Sequence, residues 1–477
     1  MTRFLALLAL HLLVSFALLP DNVAAWHPFH HDDYDNLSAG VRDVALARPR
    51  PVSTLAIAAV ADLGLPLAYA AQNLLLVVCV ALSLRFVELF VRDGRPLPWT
   101  GWVPAAAIAF AFPSAVDYTR YFGLLTNLAS AAFGLGAMVA AAAMARRRAP
   151  ARAGSLAFLA LCALSFLSKE DFLLPILLTC AGAAASGAAR RWLALGAIVV
   201  LMFLATLAMG RAMGSVFVTG TPGPADPYYI SFAPGSLWDA FAAMMLRPAY
   251  PRTLLLAALG AVALAVLALR RDATTAMRLV LLPAIALSLL APYAIFPNHT
   301  SLYYAFLPAT LLAAALAAVL HAPAADAPAR MRAAGALLLG VAIAAVAGSY
   351  DARRDLARHY ARHASYNRAI ADFLAERRDA LAGNAVAVHG LAGPSPWSNS
   401  TGAYLERFLG RRVDWHVFVP VEDPFYRFGT KPGGTVHVHP AARACEIAGA
   451  PGIEHVVVGA DGRARVVSDC TEATSAR

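Results

Sequence analysis

A chain of 477 residues that is 60% hydrophobic and only 14% charged lies outside the range of soluble globular proteins and reads as a polytopic α-helical membrane protein. Its net charge of +10 would point to nucleic acid in a soluble chain. Here most of the Arg sits in short clusters between apolar runs, where it sets membrane orientation, so no nucleic-acid partner is expected.

A spanning helix needs roughly 20 apolar residues. With that ruler about eleven transmembrane segments are expected, at 3–19, 66–91, 100–115, 122–145, 153–167, 171–187, 193–212, 253–269, 279–296, 301–321 and 333–349. They form a transmembrane domain over 1–349, followed by a soluble domain over 350–477. Eleven spans place Arg3, Arg92 and Arg95, Arg146 to Arg148 with Arg152, Arg190 and Arg191, Arg270, Arg271 and Arg278, and Arg330 and Arg332 on one side. The N-terminus is then cytoplasmic and the C-terminal part external, in an inner (plasma) membrane. The first segment, with Val23-Ala24-Ala25 before Trp26, also resembles a cleavable signal peptide. Cleavage would remove one span and leave the following loop on the same face.

That loop, WHPFHHDDYDNL from Trp26 to Leu37, gathers three His and three Asp beside amphipathic aromatics of the kind found at the headgroup level. Its carboxylates are candidates for taking a proton from a hydroxyl. Between Gly40 and Tyr69 the spacing of Arg and Asp among Ala, Val and Leu suits a helix lying in the outer interface. The next external loop, SAVDYTRYFG, brings Asp117, Arg120 and Tyr121 to the membrane surface. In LSFLSKEDFLLP, the residues Lys169, Glu170 and Asp171 interrupt an apolar run. Ionisable groups there are costly unless paired or used, although a plain charged hairpin would also place them so.

Residues 214–252 form the longest external connection and read as a flap over the membrane face. The short loop FPNHTSLYY adds His299, Tyr303 and Tyr304, His299 being suited either to a phosphate contact or to capping the next helix. From Tyr350 a helical stretch of mixed charge precedes AVAVHG, VDWHVFV, TVHVHP, HVVVGA and ARVV, which read as short strands of a small external α/β domain. His437 and His439 share one strand face, a pairing that is more often structural than metal-binding. Of the five cysteines, Cys79, Cys162 and Cys180 fall in apolar runs, which leaves Cys445 and Cys470 as the candidate disulfide pair.

Four of these stretches resemble GT-C type membrane glycosyltransferases, the class that uses polyprenyl-phosphate sugars and includes the protein O-mannosyltransferase and aminoarabinose transferase-like enzymes. They are the acidic HHDDYDNL loop after the first span, the stretch from RPVSTLAIAAVADLGLPLAYAAQNLLLVVCVAL, the loop FPSAVDYTRYFGLLTNLASAAFGL, and the element LSFLSKEDFLLPILL. The likeness covers roughly residues 1–190. It departs from the family in reading Asp117 where many relatives have Glu, and no tetratricopeptide period follows in the C-terminal part.

The resemblance implies transfer of a sugar from a polyprenyl-phosphate donor to a hydroxyl of a lipid, glycan or protein acceptor on the outer face, in a single inverting displacement. A hydroxyl is a poor nucleophile, so a carboxylate in hydrogen-bond reach serves as general base, and Asp33 or Asp32 is the expected residue. The leaving lipid phosphate needs a nearby cation. Lys169 and Arg120, with His299, are expected to supply it, while Asp117, Tyr121, Glu170 and Tyr304 are expected to contact substrate. His27, His30, His31 and Asp32 carry donor atoms suited to zinc, but their spacing matches no zinc signature, and no metal or other cofactor is expected. A lipid-linked sugar transporter or flippase is the main alternative and predicts inverted repeats with polar groups near the midplane; an inactive envelope assembly protein is the other.

Overall fold

The computed structural model describes residues 1–22, 50–146, 152–185, 187–221, 223–224, 226, 228–268, 273–321, 329–378, 385–398, 402–422, 426–430, 433–449 and 452–475. The acidic loop, with Asp32 and Asp33, lies outside the described residues. Apolar helices build the first part of the chain. Helix α1, Thr2–Leu12, continues through a wider turn at Leu13–Ala17. After it come α2 (Pro51–Ala61), α3 (Leu65–Phe90), α4 (Trp99–Ala111), α5 (Ala115–Arg120), α6 (Leu125–Arg146), α7 (Arg152–Ser168), α8 (Leu173–Ala184) and α9 (Ala189–Ala212). The second half contributes α10 (Pro234–Met245), α11 (Ala249–Ala268), α12 (Ala273–Ser288), α13 (Phe306–Leu320) and α14 (Ala329–Ala347).

Among the described residues, six stretches are long and apolar enough to cross a bilayer: Leu65–Phe90, Phe122–Arg146, Ala189–Ala212, Ala249–Val266, Leu302–Leu320, and the continuous run Gly335–Glu376, which enters through the apolar α14. The expectation of about eleven spans is corrected on length. The segments expected at 3–19, 100–115, 153–167, 171–187 and 279–296 form apolar helices of only 10–17 residues. At 1.5 Å per residue, even the longest of these reaches about 26 Å, short of a hydrocarbon core of about 30 Å. Local chemistry ends one of them short of its expected bound. Helix α4 stops where Phe112 turns extended, at φ −64° and ψ 137°, as a residue preceding proline does. Helices α7 and α8 are parted by the Lys169–Asp171 turn.

The two ends of the bundle differ in chemistry. At one end Arg3 donates to Glu88 Oε1 and to the Leu97 carbonyl, both at 2.8 Å. Arg85 joins the same carboxylate at 2.9 Å, Arg278 reaches Asp93 at 3.2 Å, and the Arg146 guanidinium lies against Gly94. Helix α3 runs from there to the other end, where Tyr69 meets Phe122 with ring centroids 5.9 Å apart. That second end carries Asn22, Arg50, Asp117, Arg120 and Lys169. The long connection after α9 is tied to it as well, through the Ser231 amide on the Ile295 carbonyl at 2.9 Å and Asn298 Nδ2 on the Pro224 carbonyl at 2.7 Å.

Helix α15, Tyr350–Glu376, follows α14 and lies across this second end. Its buried positions Arg353, Ala357, Ala364, Tyr366, Asn367, Ile370, Ala371 and Leu374 recur at helical spacing and define one inward face. Arg353 donates to the Val14 carbonyl at 3.0 Å, Tyr350 to the Leu18 carbonyl at 3.0 Å, and Arg358 pairs with Asp21 at 3.2 Å. Ala357, Leu356 and Tyr360 pack against Leu19 and Val116.

Beyond α15 a six-stranded sheet forms in the order β3-β4-β2-β1-β5-β6. Its strands are β1 (Ala385–His389), β2 (Asp414–Val419), β3 (Gly429–Thr430), β4 (Val436–Pro440), β5 (Glu454–Val458) and β6 (Ala464–Val467). The five stretches read as strands from valine alternation are all strands, and Gly429–Thr430 adds a short edge. The neighbours β4, β2, β1 and β5 are parallel, with antiparallel β3 and β6 at the edges. One face carries Val386, Val388, Trp415, Val417, Val438 and Val456 against Ile370 and Leu374 of α15. Cys445 and Cys470 form a disulfide with Cα atoms 5.3 Å apart. His437 and His439 share the opposite face, where His439 Nε2 lies 3.2 Å from His416 Nδ1.

Candidate functional site

The turn between α7 and α8 buries Lys169 and Asp171 and half-buries Glu170 between them, and each has a protein partner. Lys169, 5% exposed, donates from Nζ to Asn127 Oδ1 at 2.6 Å and lies 3.7 Å from Asp171 Oδ2. The same ammonium stands 4.7 Å above the ring of Tyr293 and 5.3 Å from that of Tyr304, where the negative ring faces attract it. Tyr293 donates its hydroxyl to Asp171 Oδ2 at 2.5 Å, its ring stacks on Tyr304 at 3.5 Å, and Tyr303 donates to the Tyr304 hydroxyl at 3.0 Å. Glu170 is held by Arg50 through Nη2 at 2.8 Å and Nε at 3.2 Å. Burial lowers the Lys169 ammonium to about 8, against the opposing pull of Asp171.

Helix α5 distributes its residues among different neighbours. Asp117 is buried and accepts a hydrogen bond from Tyr360 of α15. Desolvation raises its carboxyl to about 7, and the Tyr360 bond pulls the other way. Tyr118 lines a small cavity with Asn127, Asp171, Tyr293 and Tyr304, which joins α5 to the Lys169 turn. Arg120, 1% exposed, donates Nη1 to the Asn22 carbonyl at 2.8 Å, and Asn22 Nδ2 donates to Thr119 Oγ1 at 3.0 Å. Gln72 of α3 steadies the loop by donating to the carbonyls of Tyr118 at 2.6 Å and Tyr121 at 2.9 Å. Tyr121 faces Tyr303 across 6.4 Å. His299 lies 5.0 Å from Tyr228 and 5.8 Å from Tyr304.

Of the residues expected from the sequence, Lys169, Tyr304 and His299 come together around the tyrosine cluster, and Tyr121 joins through Tyr303. Asp117 and Arg120 stand beside them on α5, turned toward α15 and Asn22. Glu170 is engaged by Arg50. Asp32 and Asp33 fall outside the described residues, but both chain ends flanking 23–49 are held at this layer, Asn22 by Arg120 and Thr119, and Arg50 by Glu170. The sequence reading missed Arg50, Asn127, Tyr293 and Tyr360 as site residues. The only local signal for Asn127 was an amide inside an apolar run, and Tyr360 carried none.

A buried cation, carboxylates and a wall of tyrosine hydroxyls suit a ligand with an anionic group and hydroxyls. Among the described residues no group of three or more His, Cys, Asp or Glu could hold a metal ion. The Asp117 to Tyr360 bond has a testable consequence. Tyr360→Phe removes a donor that favours the carboxylate, so Asp117 should titrate above 7, an upward shift readable from its carboxyl absorption in infrared difference spectra; an unchanged midpoint would show that Tyr360 does not tune it. No family profile, no curated protein and no solved structure matches the chain.

Proposed function

We propose that the chain is a GT-C type glycosyltransferase of the inner (plasma) membrane, which moves a sugar from a polyprenyl-phosphate donor to a hydroxyl of a lipid, glycan or protein acceptor on the outer face. The observation that carries the reading is the anchoring of both flanks of the acidic segment 23–49 at the one bundle end that also holds Lys169, Asp171 and the tyrosine cluster. In this reading the acceptor hydroxyl attacks the anomeric carbon, Asp33 or Asp32 takes its proton, and the bond to the lipid phosphate breaks with its electron pair leaving on phosphate. Lys169 supplies the positive field at the departing phosphate, and Asp117 and the tyrosines accept or donate hydrogen bonds to sugar hydroxyls. The Arg-rich end is cytoplasmic by the positive-inside rule, which puts the sheet domain outside, at the same end as Asp117.

A transporter of lipid-linked sugar is favoured by one feature, the buried chain in which His11 Nε2 lies 3.0 Å from Asn73 Oδ1 and Ser15 Oγ lies 3.1 Å from His11 Nδ1. Polar groups inside a bundle are functional candidates. Envelope lipids and glycans from cells with and without the gene, compared by mass spectrometry, test the transferase reading. It requires one glycan modification to vanish while the polyprenyl-phosphate sugar accumulates; identical profiles would remove it.

A further inference from the structure

We propose that the cleft between α15 and the turn after β5 is a saccharide-binding site and that it holds the sugar portion of the acceptor. The second part rests on the transferase reading. The parallel strands run β4-β2-β1-β5, so successive connections go from β1 to one side and return to the other, which makes the β1/β5 boundary the topological switch point. Open α/β sheets bind ligands outside the carboxyl ends of their strands there. At that boundary Gly390, at φ +75°, follows β1 so closely against β5 that a Cβ would meet the Val458 carbonyl oxygen at 2.5 Å. After β5, Gly462 at φ +81° presses on α15, where a Cβ would meet the Tyr366 carbonyl oxygen at 2.3 Å. Only glycine allows both approaches, and the second makes the β5–β6 turn overhang the helix.

Beside this contact opens a cleft of about 770 Å³, lined by Asp21, Asp355, Arg358, Arg362, Ser365 and Asp461, within the size range of ligand sites. Arg358 is paired with Asp21. Among the described residues the exposed side chains of Asp355 and Arg362 have no hydrogen bond or ion pair. An acyl chain would strand these charges away from water, and an anion would meet three carboxylates against two guanidinium groups. A neutral polyhydroxyl ligand fits both sets, since carboxylates accept from neighbouring hydroxyls and guanidinium groups donate to hydroxyl and ring oxygens. The cleft also adjoins the proposed site. Asp21 precedes Asn22, the partner of Arg120, and the same helix α15 carries Tyr360 to Asp117.

The test uses the full chain purified in detergent, labelled polyprenyl-phosphate sugar prepared from the cells' own lipid extract, and an envelope extract as the acceptor. The joint variant Asp355→Ala with Arg362→Ala removes the two unengaged charges, and Ser365→Trp fills the cleft. Both should raise the acceptor KM about ten-fold, the scale of one lost charged hydrogen bond, with donor KM and kcat unchanged. An acceptor KM unaltered in both variants, or a donor KM rising in step with it, would overturn the cleft assignment. A wild-type protein that transfers no sugar would overturn the acceptor role together with the transferase reading beneath it.

Discussion

Asn in place of Asp33, or of Asp32, is expected to cut sugar transfer about 100-fold or more, the scale of general base catalysis. Asn keeps the size and planar shape of the carboxylate and still accepts a hydrogen bond, so the acceptor hydroxyl can dock. It has no basic oxygen to take the proton as the hydroxyl attacks, and the barrier rises at that step alone. Donor binding should change far less, because the donor phosphate is engaged elsewhere. Only one of the two acids should show the full loss, which assigns the base by experiment. The expectation rests on where the chain holds its ends: Asn22 and Arg50, the described residues that bracket the acidic segment, are bonded to α5 and to the Lys169 turn.

Lys169→Ala is expected to show the opposite balance. The donor phosphate loses a cation, and donor affinity should fall about ten-fold or more, as charged hydrogen bonds contribute about 1.5–3 kcal/mol. The same change leaves Asp171 and Asn127 without their shared partner, and removing one member of a buried pair costs about 3–5 kcal/mol, so thermal stability should fall too. The pH dependence separates the two effects. Burial favours the neutral amine and brings Lys169 to about 8, so donor affinity in the wild type should be full below pH 8 and decline as pH rises through it. Donor titrations across that range on the wild type and Lys169→Arg check this. Arg stays protonated, and a decline that persists in Lys169→Arg would show that another group titrates.

The sequence exposed those parts of the fold whose signal is local. Valine alternation at positions such as 386 and 388 marked the strands, and the ionisable residues at 117, 120 and 169–171 marked the polar layer because each interrupts an apolar run. The span count exceeds what the helices allow because counting apolar runs does not measure each helix: α1, α7, α8 and α12 belong to apolar helices of only 10–17 residues, and α4 stops at the residue before Pro113. The rest of the site depends on partners far apart in the chain. Arg50 meets Glu170 across 120 residues, and Tyr360 reaches Asp117 across 243. No periodicity or motif near either residue records such a pairing; the first exists only once α2 has packed on α6 and α7, the second only once α15 has folded back over Leu19 and Val116.

Transfer of labelled sugar from a polyprenyl-phosphate donor to acceptor, by purified wild-type protein and by Asp32→Asn and Asp33→Asn, tests the central claim most directly. The account predicts glycosidic bond formation by the wild type and its loss, by about 100-fold or more, in one of the two variants. Movement of donor without bond formation, or full activity in both variants, would contradict it.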